Sequence, residues 1–435
     1  MSERTETEPI YPIATITQAR DAFEAAFKEL FKYISLPPDT QKALKAVTLV
    51  RGGSAILEGI PGTGKTTAIE ALAKAFGLRM AKITCAPQKV TLEGSFYRLH
   101  IPSLIKEGKE EVIWKTIAQA DVLFISEINR APQSFQDELI DLLQYRELEA
   151  YGEVKRIQQH ALVFLDMNPY RGRVDRAIGD RPLMTILFPR SSFFQRFSLS
   201  MSRYDRQTIR DIREEVQTKA SLADLLKCQA EVDTVSLTTD GLIYSTLLTE
   251  SFSACIYNRD QASPDWPLPC GLDPLDRLGE NPLAKKGQSA KCTFHGGICS
   301  CVKYPLAYRI DEALVLTGKS LAWLEDRDFI TQEDMRTSLP WVVGNRLELR
   351  DSIAKHWASP AMWVVNELFT FLNETKLEVW KRTFKLYQKL QKNPTDQSSL
   401  KQLTAIAAAN LEVRPLAHLL GVTVFDTDQK EEEEE

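Results

Sequence analysis

The stretch SAILEGIPGTGKTTAIEALAKAF (54–76) opens as an apolar strand, passes through a glycine-rich turn and continues at helical spacing, and a second strand, MAKITC (80–85), follows. This is a βαβ opening. Within it Gly59, Pro61, Gly62, Thr63, Gly64, Lys65 and Thr66 carry the spacing of a phosphate-binding loop, with Thr67 beside them at the helix start. Glycines let the backbone wrap around phosphate oxygens, and the helix beginning near Lys65 turns its positive dipole end toward them. Lys65 is placed to neutralise the β and γ phosphates, and the Thr66 hydroxyl to ligate Mg²⁺. The expectation is binding of ATP or GTP with Mg²⁺.

Working outward, VLFIS (122–126) reads as a buried strand, SFQDELIDLL as an amphipathic helix with Phe135, Leu139, Leu142 and Leu143 on one face, and HALVFLDMN (160–168) as a further buried strand. Residues 147–157 read as a small hairpin turning at Gly152. Strands alternating with helices predict an α/β core whose parallel sheet lies between helices. A helical prelude at 17–34 carries Phe23, Phe27, Leu30 and Phe31 at helical spacing. Past residue 204 helical periodicity dominates. The expected organisation is a flexible arm (1–15), a nucleotide-binding core with its prelude (16–203), a mostly helical lid (204–350), a helical C-terminal extension (351–428) and an acidic tail (429–435). The tail ends in EEEEE and reads as solvated. Trp357, Trp363 and Trp380 are expected to pack the extension.

At 435 residues the chain fits two or three domains. A hydrophobic share of 43% without an uninterrupted apolar run of membrane-spanning length predicts no membrane span. The polar, acidic opening MSERTETEPIYP is unlike a signal peptide, so a cytoplasmic location is expected. A net charge of -5 offers no global electrostatic case for nucleic-acid binding. The basic stretch RGRVDRAIGDR (171–181) lacks interleaved aromatics for base stacking and reads first as a solvated loop.

The string Glu127-Ile128-Asn129-Arg130-Ala131-Pro132 after an apolar strand closely resembles the second nucleotide motif of MoxR-type AAA+ ATPases. LVFLDMNP resembles the family's sensor strand ending in Asn168, SSFFQRF its arginine-finger segment, and PLAYRIDEAL the place where a second sensor arginine opens a lid helix. The resemblance covers about residues 20–350. It implies an AAA+ core followed by a helical lid, with Glu127 orienting and deprotonating the attacking water, Asn168 contacting that water or the γ-phosphate, Arg196 reaching a neighbouring subunit's nucleotide, and Arg309 sensing its own. An arginine acting across subunits requires a ring, expected to be a hexamer. Arg130 reads either as an interface residue or as a salt-bridge partner.

One departure bears on the chemistry. The family carries Asp before the glutamate, and here that residue is Ser126. A hydroxyl can bond a magnesium-bound water but brings no charge, so slower turnover is expected, by one or two orders of magnitude if the lost contact is worth about 1.5–3 kcal/mol.

Five of the seven cysteines crowd into 255–301. Cys270, Cys292, Cys299 and Cys301, with His295 and Cys255 as substitutes, suit a structural zinc that would order the Pro- and Gly-rich insertion at about 258–300. Free or redox-active cysteines are the competing reading.

Taken together, these residues point to a ring-forming ATPase that remodels a protein client, with a von Willebrand A domain protein the kind of client that the MoxR resemblance implies. Two alternatives stand beside it: a nucleotide-switched scaffold with weak hydrolysis, favoured by Ser126, and a restriction-type NTPase motor on nucleic acid, poorly supported by the charge.

Overall fold

The computed structural model describes residues 13–85, 90–172, 174–190, 197, 215–250, 252, 301–304, 306–357, 359–369 and 374–409. They fall into two compact units. The first runs to Ser236 and includes Leu316–Phe329; the second comprises Leu237–Val315 and the chain from Ile330 onward.

In the first unit five strands form one parallel sheet: β1 (Ser54–Glu58), β2 (Met80–Thr84), β3 (Val122–Ser126), β4 (Leu162–Met167) and β5 (Met184–Leu187). Their spatial order is β2-β3-β4-β1-β5, so the chain leaves β1, crosses past two positions to β2 and returns strand by strand. Every residue of β3 and β4 is buried, and all of β1 except half-buried Glu58. Strands that are apolar without alternation are what a sheet covered on both faces requires. Because all five run the same way, the loops leaving β1, β3 and β4 emerge at one edge, where open α/β sheets place their ligands.

Helix α1 (Ile13–Tyr33) begins four residues before the periodicity that predicts it, and α2 (Pro38–Leu49) follows it. Helix α1 buries Phe23, Phe27 and Leu30 completely, and Phe23 and Phe27 meet Phe76, at the end of α3 (Lys65–Ala75), edge to ring at 5.6 and 5.5 Å. Each such side chain contributes about 1.5–3 kcal/mol through burial. Helix α4 (Gln133–Tyr145) turns Phe135, Leu139, Leu142 and Leu143 into the same core as β3 and β4, as its spacing predicts. The hairpin also forms. Glu147–Ala150 pairs antiparallel with Glu153–Arg156 through Tyr151 and Gly152, both at positive φ (50° and 77°), the conformation of a two-residue type I′ turn.

At the opposite edge of the sheet Asp121, 3% exposed, ties three strands together. It accepts from the Arg79 backbone N–H (2.9 Å), from Arg79 Nε (3.0 Å) and Nη2 (2.9 Å), and lies 3.1 Å from His160 Nε2. Arg79 precedes β2, Asp121 precedes β3 and His160 precedes β4, so one carboxylate holds the register of all three.

The second unit is helical. Thr239–Glu250, Gln332–Val343, Glu374–Lys392 and Gln397–Ala409 are its longer helices, and Leu386, Leu390, Leu403 and Ala407 pack the last two together. Trp363 is fully buried, while Trp357 and Trp380 are half-buried. Among the described residues no helix is long and apolar enough to cross a membrane.

Candidate nucleotide site

At the sheet edge where β1, β3 and β4 end lies a cleft of about 270 Å³, lined by Pro61, Gly62, Thr63, Gly64, Lys65, Thr66, Thr67, Ser126, Glu127, Asp166 and Asn168. Every loop residue expected to bind phosphate except Gly59 lines it, and so do the expected Ser126, Glu127 and Asn168.

The loop's shape follows from its glycines at three points. Gly62 and Gly64 sit at φ 82° and 85°, a region where a side chain costs about 1–2 kcal/mol. Gly59 is required for another reason: a Cβ there would lie 2.5 Å from the Phe188 carbonyl oxygen. Gly64 caps α3 without a side-chain acceptor, so the first-turn N–H groups keep their capacity for an anion. Thr63 Oγ1 braces the loop by donating to the Ile60 carbonyl at 2.9 Å. Lys65, 7% exposed, folds back on the loop: its Nζ donates to the Gly59 carbonyl and to that of Ile60 (3.0 Å), and lies 3.3 Å from Asp166 Oδ1. A buried ammonium held by carbonyls and one carboxylate, beside an uncapped helix start, is a donor set suited to a polyphosphate.

On the other wall, Glu127 follows β3 in a left-handed conformation (φ 56°, ψ 46°), rare for a residue with a side chain. Its carboxylate pairs with Arg130, the salt-bridge partner that is one of the two readings of that arginine. Asn129 fastens this turn to the end of β4 by donating to the carbonyls of Asn168 (2.8 Å) and Gly172 (2.9 Å). Asn168 is 8% exposed, and its Oδ1 accepts from the Tyr170 N–H at 3.2 Å, capping the short turn Pro169–Arg171. The cap uses the side-chain oxygen and does not engage the amide nitrogen. Cys85 is fully buried beside this wall, and its thiol is pushed up to about 12 by burial and by the nearby Glu127 charge. It stays protonated and inert at neutral pH.

Sequence reasoning passed over Asp166. It lies at the end of β4, 8% exposed, and accepts from Ser126 Oγ at 3.2 Å through Oδ2. A carboxylate inside the otherwise apolar run LVFLDM was the available signal.

Other expectations fall elsewhere. Arg196 lies outside the described residues, as do Cys255, Cys270, Cys292, His295 and Cys299. Cys301 is half-buried, and its carbonyl accepts from the Arg350 N–H at 2.9 Å. Among the described residues no group of His, Cys, Asp or Glu forms a metal cluster, so the zinc expectation finds no support there. Arg309 opens the helix Arg309–Leu324, as the sequence suggests, and belongs to the second unit.

Residues 54–181 match the family model for the AAA domain of the dynein-related subfamily. Chaperone MoxR1 of Mycobacterium tuberculosis is 31% identical over 124 residues, and the match spans 28% of this chain and 32% of that protein. Protein MoxR of Methylorubrum extorquens is 24% identical over 353 residues, 77% of this chain and 90% of its own length. Protein MoxR of Paracoccus denitrificans is 25% identical over 305 residues, 68% of this chain and 80% of its own. A crystal structure from Cytophaga hutchinsonii superimposes with a TM-score of 0.62 at 18% identity, covering 83% of this chain and 97% of that one, which speaks for the fold.

Proposed function

We propose that this chain, a member of the MoxR family of AAA+ proteins, binds ATP with Mg²⁺ in the cleft between the 59–66 loop and the ends of β3 and β4, and hydrolyses it to remodel a protein client. The observation that carries this reading is the meeting, in one cleft, of the phosphate loop with Glu127 and Asn168, contributed by three separate stretches of chain. Lys65 and the first-turn amides of α3 hold the phosphates, and Thr66 offers a hydroxyl to the metal. When bound, Mg²⁺ would supply charge neutralisation to the phosphates. Glu127 orients and deprotonates the water, and Asn168 positions it. Arg196 completes the site from a neighbouring subunit and Arg309 reads the nucleotide from the lid, within a ring proposed to be a hexamer. The core is taken as 16–203, the lid as 204–350 and the extension as 351–428. A von Willebrand A domain protein is the proposed class of client.

Two observations favour a second reading, a nucleotide-switched scaffold with weak hydrolysis: Ser126 brings no charge, and Glu127 is engaged by Arg130. ATP turnover with Mg²⁺, compared between the wild type and Glu127→Gln, separates the two. Turnover well above the variant supports the remodelling enzyme. Tight ATP binding with turnover equal to that of the variant leaves the scaffold.

A further inference from the structure

The carboxylate missing from Ser126 has a counterpart one strand away. β3 and β4 pair in parallel with Ile125 opposite Leu165, so the next residues, Ser126 and Asp166, stand side by side at the sheet edge. Ser126 Oγ donates to Asp166 Oδ2 at 3.2 Å. Both residues line the cleft together with Thr66. Oδ1 accepts no well-aligned hydrogen bond, although Lys65 Nζ lies 3.3 Å away as a charge partner. A buried carboxylate oxygen without a hydrogen bond, aimed at the cation of a phosphate loop, retains acceptor capacity for a hydrated metal ion.

We infer that Asp166 is the metal-shell carboxylate of this site, with Ser126 as the hydroxyl that orients it, so that the negative charge has moved from β3 to β4 rather than disappeared. This inference rests on the nucleotide reading above. Its logic is electrostatic. Magnesium keeps several of its waters and is commonly held through one or two carboxylates plus phosphate oxygens, and a carboxylate displaced to the neighbouring strand reaches the same water shell from a different side. Asp166 is the counter-ion of Lys65; a Lys65 turned to the phosphates would free the Asp166 oxygens for the metal's waters. The competing role is that of a Lys65 counter-ion alone; Asp166→Asn would then leave the Lys65 ammonium without its carboxylate and alter nucleotide affinity equally with and without metal. Ser126→Asp would then set two carboxylates side by side, so that single change is expected to impair the site rather than repair it.

The test uses the full chain and a fluorescent ATP analogue, titrated in EDTA and in Mg²⁺, with Mn²⁺ binding to the nucleotide complex followed by electron paramagnetic resonance. The expected result for Asp166→Asn is a tenfold or greater loss of Mn²⁺ affinity, with nucleotide affinity in EDTA within about threefold of wild type. Ser126→Ala should show a loss of two- to fivefold. The transposed pair Ser126→Asp with Asp166→Ser should recover most of the Mn²⁺ affinity, which a merely structural role for Asp166 would not predict. Wild-type Mn²⁺ affinity in Asp166→Asn, or equal losses with and without metal, overturns the inference while leaving the nucleotide reading in place. A wild-type chain that binds no nucleotide in either condition overturns both.

Discussion

Glu127 and Arg130 are ion-paired across a single 3-10 turn, so the carboxylate proposed to handle the attacking water is engaged by a neighbour from its own loop. Both side chains are about one-third exposed (29% and 32%), which limits such a pair to roughly 0.2–1 kcal/mol. Releasing the carboxylate therefore requires little energy. Arg130→Ala is expected to raise basal ATP turnover by about 1.5- to 5-fold, the rate equivalent of that energy. A fall in turnover would instead assign Arg130 to a neighbouring subunit's site.

Two substitutions at Glu127 separate chemistry from strain. Glu127→Gln should reduce turnover by about 10²-fold or more with nucleotide affinity little changed, because it removes the base and keeps the shape. Glu127→Gly should lose turnover as well, yet raise stability to denaturant by about 1 kcal/mol, the left-handed penalty at φ 56° less the backbone entropy that glycine adds. A Glu127→Gly variant less stable than Glu127→Gln by the entropy cost of about 0.5–1 kcal/mol would show that the turn stores no strain.

The glycines of the phosphate loop should fail in different ways. Gly59→Ala forces a Cβ to within 2.5 Å of the Phe188 carbonyl oxygen, and should lower stability by about 1–3 kcal/mol. Gly64→Ala meets no atom within 4 Å but must hold φ 85°, so the loop is expected to relax and nucleotide affinity to fall further than stability does. Thermal melts with and without ATP distinguish the two patterns.

Asp121 gives the first unit an acid limit. Burial would raise its pKa, but the hydrogen bonds from Arg79 and His160 and the Arg79 charge outweigh that and hold it at about 2. A folded pKa below the unfolded value of about 3.9 means that this stabilisation is complete above pH 4 and is lost as pH falls toward 2. Asp121→Asn should destabilise the chain by about 1–3 kcal/mol at pH 7, with the difference from wild type shrinking between pH 4 and 2. Denaturant melts across that range measure it.

Much of the molecule was legible because its signals are local. The phosphate loop declares itself through glycines at fixed offsets, β3 and β4 through uninterrupted apolar runs, α4 through the spacing of Phe135, Leu139 and Leu142, and the hairpin through a turn at Gly152. Ser126 was visible as a missing charge, and Glu127 as a carboxylate at a strand end. Chain order alone did not bring the helix Leu222–Thr234 onto α1, because that contact joins segments far apart in sequence.

What the sequence determined by itself was the kind of site, since residue types and spacing set which groups a loop can offer to a phosphate. What tertiary structure alone decided was which groups meet. Asp166 and Ser126 are 40 residues apart and become neighbours through strand register, and Asn129 meets the carbonyls of Asn168 and Gly172 past the end of β4. The physical reason is that charge acts through space: a carboxylate's effect on Lys65 or on a metal depends on its distance, and the pairing of parallel strands sets that distance.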